Sequence, residues 1–491
     1  MDTIFFFLMY MYNFFFLMYS INFFSQLVAL GWGVALAQGL AGLTPGPALG
    51  TAMFRVSEKI KQCRINLLQW NQSHVRVTPK LIESKQRKLE EMELQPCELY
   101  DGGAVISLRR ELNMLCEKDE LIWRQRSRVS WLQEGDRNTK FFHACASQRK
   151  RTNTINGLKY DNDLLHTEPA EIERIAVEYF AGLFTSSQPH AIDEVVQEAD
   201  WVVMQGMNDR LMSPFTHEEV RKALFQMYPS KAPGPDGMSA LFFQKFWHVI
   251  GTDVSIAVLD FLNVGRMLGS VNFTHIVLIP KVANPERITQ FRPISLCNVL
   301  YKIASKVLVN RMKSMLPQVI SDSQSAFVPG RMITDNVIIA FETLHYFKNL
   351  RGGKNHQMTV KLDMSKAYYK VEWGFLKAMM LKLGFYAKWV DIVMTCVTTV
   401  TYAVMVNGEP KGYVKPTRGL RQGDPLSPYL FLICAEGFFA LLRKVERESL
   451  FRGISICRGG PQISHLFFAD DSIIFCRASN NDCVAFQNIL T

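Results

Sequence analysis

The chain has 491 residues, 48% hydrophobic and 20% charged, with a net charge of +10. That balance suits roughly two to four domains with buried cores, and excludes a disordered tail or a disulfide-dependent miniprotein. Its 30 Gly and 20 Pro follow no short repeat, which excludes collagen-like, solenoid and propeller folds.

The charge is unevenly placed. Residues 1–54 hold a single charged side chain, Asp2, so residues 55–491 carry all 55 Lys and Arg. Such a body either attracts phosphate-bearing partners or is simply a basic, soluble surface. Ile4 to Phe24 has only Asn13, Ser20 and Asn22 as polar interruptions, and Leu27 to Leu43 is a second apolar run loosened by Gly31, Gly33, Gly39 and Gly42. The first run is a transmembrane candidate by length and hydropathy. It lacks the basic flank of a secretory signal. A segment foreign to the rest of the chain is favoured over a working membrane anchor. The ten cysteines lack zinc-site spacing and read as reduced thiols of an intracellular protein, nuclear or cytoplasmic.

From Arg55 to Arg126 the sequence is helix-favouring with charges of both signs, as on a solvated helical face. Between Arg124 and His143, and again from Gln148 to Thr152, basic residues alternate with Trp131, Phe141 and Phe142. Two readings stand level: aromatics that stack on unpaired bases, or aromatics that form a helical core. The run Lys231-Ala-Pro-Gly-Pro-Asp-Gly237 breaks regular structure. A helix is expected over 241–262, a strand over 277–281, and an extended segment, Phe291-Arg-Pro-Ile-Ser-Leu296, leading into a helix over 298–315. Lys281 and Arg292 thus fall on short extended pieces close in sequence.

Met358-Thr-Val-Lys-Leu-Asp363 is a β-rich run ending in an acid, and helical spacing follows from Trp373 to Leu383, before Gly384. Further on, His465-Leu-Phe-Phe-Ala-Asp-Asp-Ser-Ile-Ile-Phe475 fits a strand-turn-strand with Asp470 and Asp471 at its tip. Adjacent acids in an otherwise buried hairpin repel each other and lose solvation, a conflict that a divalent cation resolves. Hard carboxylate ligands suit Mg²⁺. Between these acids, Asn407-Gly408 is a hairpin signal, and Arg418-Gly-Leu-Arg-Gln-Gly-Asp-Pro-Leu-Ser-Pro428 leads into an apolar helix over 429–442. Gly419 and Gly423 would let backbone approach a ligand, with polar side chains of the loop facing a nucleotide.

The series Lys231–Gly237, Phe291–Leu296, Gln324-Ser-Ala-Phe-Val-Pro-Gly-Arg331, Lys361-Leu-Asp-Met-Ser-Lys-Ala-Tyr368, Arg421-Gln-Gly-Asp-Pro-Leu-Ser-Pro428 and Phe468-Ala-Asp-Asp471 resembles the reverse transcriptase of plant LINE-type, non-LTR retrotransposons. Residues 126 to about 187 resemble the connector that precedes the polymerase, so the resemblance spans roughly 55–491. It implies an α+β fold, the fingers and palm of a right-hand polymerase with an antiparallel sheet and packed helices, behind a mainly helical connector. The expected divisions are an apolar segment over 1–54, a basic connector over 55–190, fingers over 191–345 and palm over 346–491.

The resemblance also implies roles. Asp363, Asp470 and Asp471 would hold two Mg²⁺ ions, assisted by the Met364 carbonyl. Tyr368 would lie beneath the sugar of the incoming nucleotide and disfavour a 2′-hydroxyl. Gln422 would contact that nucleotide, and Lys281 and Arg292 its triphosphate. Lys231–Gly237 and Gln324–Arg331 would lie along the template-primer path. The implied partners are an RNA template, a DNA primer and a dNTP, with no stable protein partner and no membrane. The chain departs from the family at Tyr369, where an acid is usual. It ends at Thr491, soon after Asp471, so fingers and most of a palm are expected without a thumb. Two readings compete: an RNA-directed DNA polymerase, and an inactive, truncated remnant that at most binds nucleic acid.

Overall fold

In the computed structural model, the structure describes residues 50–490 apart from 75–77, 97–100, 128–138, 161–162, 350–355 and 458. The apolar runs at the N-terminus and Trp131 lie outside the described residues. Helices α1 (Ala52–His74), α2 (Thr78–Glu93) and α3 (Gly102–Ser127) come first, as the mixed-charge sequence predicts, and α4 (Thr139–Asn153) follows them. Met53, Val56, Ile60, Cys63 and Leu67 recur at helical spacing on α1 and join the main core. Phe142 on α4 is buried, which favours the core reading for that aromatic.

The two-residue strands β1 (Leu158–Lys159) and β2 (Leu165–His166) precede α5 (Pro169–Leu183). On α5, Ile172, Ile175, Ala176, Phe180 and Leu183 form an apolar stripe packed on Ile276, Leu278, Tyr402 and Val404 of the sheet described next. Helix α5 is therefore built into the core under this sheet. The expected helix over 241–262 is two helices, a short one over Ala240–Lys245 and α6 (Trp247–Val264).

Strand β3 (Phe273–Pro280), strand β4 (Phe291–Cys297) and α7 (Val299–Lys313) follow the expected order, and α8 (Ile333–Asn349) leads to β5 (Gln357–Asp363). After α9 (Trp373–Leu383) come β6 (Thr401–Val406) and β7 (Glu409–Val414), then α10 (Ser427–Arg447), β8 (His465–Phe468) and β9 (Asp471–Arg477). Gly384 ends α9 with φ 101°, a left-handed cap that suits glycine. Asn407 and Gly408 have φ of 50° and 96°, the paired positive values of a tight β6–β7 hairpin turn.

Beside the two-stranded β1-β2 pair, the described residues form two larger sheets, ordered β4-β3-β6-β7 and β5-β9-β8. The second is antiparallel throughout. That bears out the expected antiparallel sheet, while the first sheet adds a central parallel pair, β3 and β6. A parallel pair needs a long crossover, and here the intervening helices and β5 supply it. Among the described residues no helix is long and apolar enough to cross a membrane, and the described cysteines are free thiols, four of them buried.

Candidate active site

Strand pairing assembles the acids. In the β5–β9 register Asp363 lies opposite Asp471, while β8 ends at Phe468, so Ala469 and Asp470 form the turn. Burial pushes the Asp470 carboxyl above its usual range, and the charges of Asp471 and Asp363 push it further the same way. Lys361, two residues before Asp363 on the same strand face, reaches Asp471 at 3.4 Å. Among the described residues, no group of three His, Cys, Asp or Glu side chains closes around one point. The donors fit Mg²⁺ chemically: hard oxygens, crowded by like charge, for an ion that takes one or two carboxylates and completes its shell with water and phosphate. The Met364 carbonyl already accepts the Ala367 N–H at 3.2 Å, which leaves it one lone pair.

Opposite the acids stands a basic group. Ile279 pairs with Arg292 across β3–β4, and the Lys281 N–H donates to the Gln290 carbonyl just past the strand end at 2.8 Å. The Lys281 ammonium, which donates to the Thr289 carbonyl at 3.1 Å, is held below its usual range by burial and by the charges of Arg292 and Lys366. Lys366 was missed by sequence reasoning. It sits in the left-handed region at φ 59°, three residues from Asp363, and its only sequence signal is a basic residue amid acids and aromatics. Arg292 lowers the pKa of Asp470, so the two ends of the site sense each other's charge.

Tyr368 stacks on Phe431 of α10 with ring centroids 4.9 Å apart. Burial, helped by the Asp470 charge, keeps its phenol protonated. Its neighbour Tyr369 turns into the core, and its hydroxyl reaches Gln422 Oε1 at 2.6 Å and the Pro293 carbonyl at 2.9 Å. Tyr369 thereby joins the loop that carries Gln422 to the strand that carries Arg292. An acid at this buried position would face Phe184 and Tyr402.

The loop before α10 corrects the sequence reading in two ways. Its glycines face the protein's own backbone: a Cβ on Gly419 would stand 2.8 Å from the Tyr369 carbonyl, and one on Gly423 3.1 Å from the Ser295 carbonyl. Both have positive φ. Of its polar side chains, Arg421 and Asp424 are buried and paired at 2.8 Å. Arg421 also donates to Asn272 and the Cys396 carbonyl, and Asp424 accepts from Tyr301 and the Leu426 N–H. Gln422 is half-buried, and its carbonyl accepts the Ser295 N–H at 2.8 Å. Beside it, Arg418 pairs with Glu372 at 3.2 Å, and Glu372 accepts from Ser186 and Ser187. That tie back to the segment just after α5 had no sequence signal.

The two segments assigned to the template-primer path are also anchored inward. Gly234 lies against Asn298, where a Cβ would come within 2.4 Å of the Asn298 nitrogen. Burial raises Asp236, in the same loop, to about 6. Arg331 donates to the carbonyls of Pro317, Ile320, Ser321 and Gln324.

Residues 279–491 match the family model described as reverse transcriptase (RNA-dependent DNA polymerase). The chain carries a reverse-transcriptase domain. Its relatives place the domain with the Pol proteins of non-LTR retrotransposons. It is 32% identical over 321 residues to the Transposon TX1 uncharacterized 149 kDa protein of Xenopus laevis, covering 65% of this chain and 24% of that protein. Against the retrovirus-related Pol polyprotein from type-2 retrotransposable element R2DM of Drosophila melanogaster, identity is 26% over 306 residues, 62% of this chain and 26% of that protein. An uncharacterized mitochondrial protein of Arabidopsis thaliana is 50% identical over 68 residues, 14% of this chain and 56% of that protein. The chain thus spans about a quarter of the first two relatives and about half of the third. The mixed architecture of packed helices and open sheets is that of reverse-transcriptase fingers and palm.

Proposed function

We propose that this reverse-transcriptase domain is an RNA-directed DNA polymerase that adds a dNTP to the 3′-hydroxyl of a DNA primer on an RNA template. The observation that carries the reading is charge segregation. Burial first, then crowding by Asp363 and Asp471, raises Asp470, while burial first, then crowding by Arg292 and Lys366, lowers Lys281, so each is pushed toward its neutral form. A nucleoside triphosphate with divalent cations relieves both crowds at once, which no single ion pair inside the protein does.

Asp363, Asp470 and Asp471 would hold two Mg²⁺ ions, with the Met364 carbonyl as a weaker donor. When bound, such ions make the primer hydroxyl more acidic and neutralise charge on the leaving pyrophosphate. Lys281, as a point charge, and Arg292, as a fork, grip the triphosphate oxygens. The Tyr368 ring, fixed by Phe431, forms the floor under the sugar, and Gln422 steadies the nucleotide from the loop before α10. The primer oxygen forms its bond to the α-phosphorus as the bond to pyrophosphate breaks, and the hydroxyl proton leaves to solvent. The likeness to an Arabidopsis thaliana protein over 68 residues supports a plant LINE lineage. The substrates place the work inside the cell, in nucleus or cytoplasm, and we assign 191–345 to fingers and 346–491 to palm.

The test is primer extension by the full chain on a primed RNA template with dNTPs and Mg²⁺, beside Asp470→Ala. Extension by the wild type alone is expected. Extension that persists in Asp470→Ala refutes the carboxylate assignment, and none by either leaves a nucleic-acid binder.

A further inference from the structure

The turn that carries Asp470 and Asp471 is held from behind by a residue of another motif. Gln324 is buried, with 2% of its surface exposed. Its Oε1 accepts the Ala469 N–H at 3.0 Å and the Ala326 N–H at the same distance. Two backbone donors aimed at one atom fix which end of the amide is oxygen. Ala469 has φ 54°, a left-handed conformation that an alanine adopts only when its surroundings enforce it.

The segment carrying Gln324 is itself fixed. Phe467 on β8 donates its N–H to the Ser323 carbonyl at 2.9 Å and accepts the Ser325 N–H at 3.2 Å. Asn336 on α8 donates to the same Phe467 carbonyl at 2.8 Å. Arg331 holds the Gln324 carbonyl at 2.8 Å. Backbone and side chain of Gln324 are thus both placed, and the side chain ends on the residue before Asp470.

Packing does not account for an amide here. Among the described residues the buried Gln324 Nε2 has no hydrogen-bond partner, and an unsatisfied donor works against stability. An aliphatic side chain would fill the space without that penalty. What it could not do is accept the Ala469 N–H.

We propose that Gln324 is a positioning residue for the acids: it holds Ala469 in its left-handed conformation and so sets where the Asp470 and Asp471 carboxylates stand. This rests on the reading of those acids as the metal-holding pair. It also moves Gln324 from the template path, where the family resemblance put it, to the back of the acidic turn.

The test is Mn²⁺ binding to the full chain, read as loss of the free Mn²⁺ signal in electron paramagnetic resonance, for wild type, Gln324→Met, Gln324→Glu and Asn336→Leu. Gln324→Met matches the side chain's length and cannot accept the bond. It is expected to weaken Mn²⁺ binding by roughly 10-fold or more, the usual effect of removing a group that orients a ligand. Gln324→Glu keeps an acceptor oxygen and loses less. Asn336→Leu loosens the same segment without touching Ala469 and weakens Mn²⁺ binding less than Gln324→Met does, with circular dichroism confirming that every variant is folded. In primer extension, Gln324→Met lowers kcat while the KM for dNTP stays. Equal Mn²⁺ affinity in Gln324→Met and wild type overturns the proposal, as does an equal loss in Asn336→Leu. Absence of Mn²⁺ binding in the wild type overturns the metal reading itself, and the proposal with it.

Discussion

A buried ion pair anchors the loop that presents Gln422, and Asp424→Ala removes half of that pair. Arg421 and Asp424 side chains are 3% and 4% exposed and 2.8 Å apart. Asp424 also accepts from the Tyr301 hydroxyl at 2.6 Å and the Leu426 N–H at 2.9 Å. After truncation the Arg421 guanidinium keeps Asn272, the Cys396 carbonyl and the Tyr301 ring face, centred 3.9 Å away. It loses its only close anion among the described residues. Removing one partner of a buried pair costs about 3–5 kcal/mol, because the other charge stays buried. For a cooperative unit of roughly 200 residues that is a fall in Tm of about 10 °C. Arg174→Ala is the reference, since its partners Glu171 and Glu178 at 2.8 Å form a solvent-exposed cluster, where little change in stability is expected. Thermal unfolding of both variants by circular dichroism compares the two environments directly. Hydrogen exchange adds a local readout, with faster exchange expected over residues 419–426 in Asp424→Ala. A fall in Tm no larger than that of Arg174→Ala refutes the reasoning.

Two further outcomes follow from the acids and from Tyr369. Asp470 has its pKa raised in the folded protein, so its contribution to stability is fully present below the ordinary carboxylate range and is lost as pH rises through the folded value. Asp470→Asn, neutral throughout, is therefore expected to have a higher Tm than wild type at neutral pH, with the gap closing on acidification. A pH-independent gap, or a lower Tm, contradicts the crowding of the acids. Tyr369→Phe removes one hydroxyl shared by Gln422 and the Pro293 carbonyl. A net hydrogen bond of about 1 kcal/mol corresponds to about a 5-fold rise in the KM for dNTP with kcat little changed. An unchanged KM removes Tyr369 from the nucleotide site.

What was legible in the sequence was local. The Asn407-Gly408 turn, the cap at Gly384 and the strand-turn-strand around Asp470 each depend on a few adjacent residues, and each stands where its signal lies. The pairing of β3 with β6 was not legible, since parallel strands far apart in sequence leave no mark in either one. Nor was the division of labour within motifs. Arg421, Gln422 and Asp424 are all polar loop residues, yet two of them turn inward to each other. Periodicity reports which face of an element is apolar. It does not tell which polar side chain in an irregular loop finds a buried partner.

That division explains why the motifs hold so many polar residues that touch no proposed substrate. Arg421 with Asp424, Arg418 with Glu372, and Arg331 on its ring of carbonyls each satisfy an irregular backbone that no strand or helix supports. Buried backbone polar groups must find partners, and a site built from loop, turn and strand ends has more of them than a regular element. The inward-facing ions meet that need and hold the loops rigid. Like-charged groups can then be kept close together at the site, Asp470 beside Asp471 and Lys281 beside Lys366, because the scaffold around them does not relax to separate them. The internal pairs and the crowded site are two sides of one arrangement: the first makes the second sterically possible, and a bound cation with its phosphate completes the charge balance.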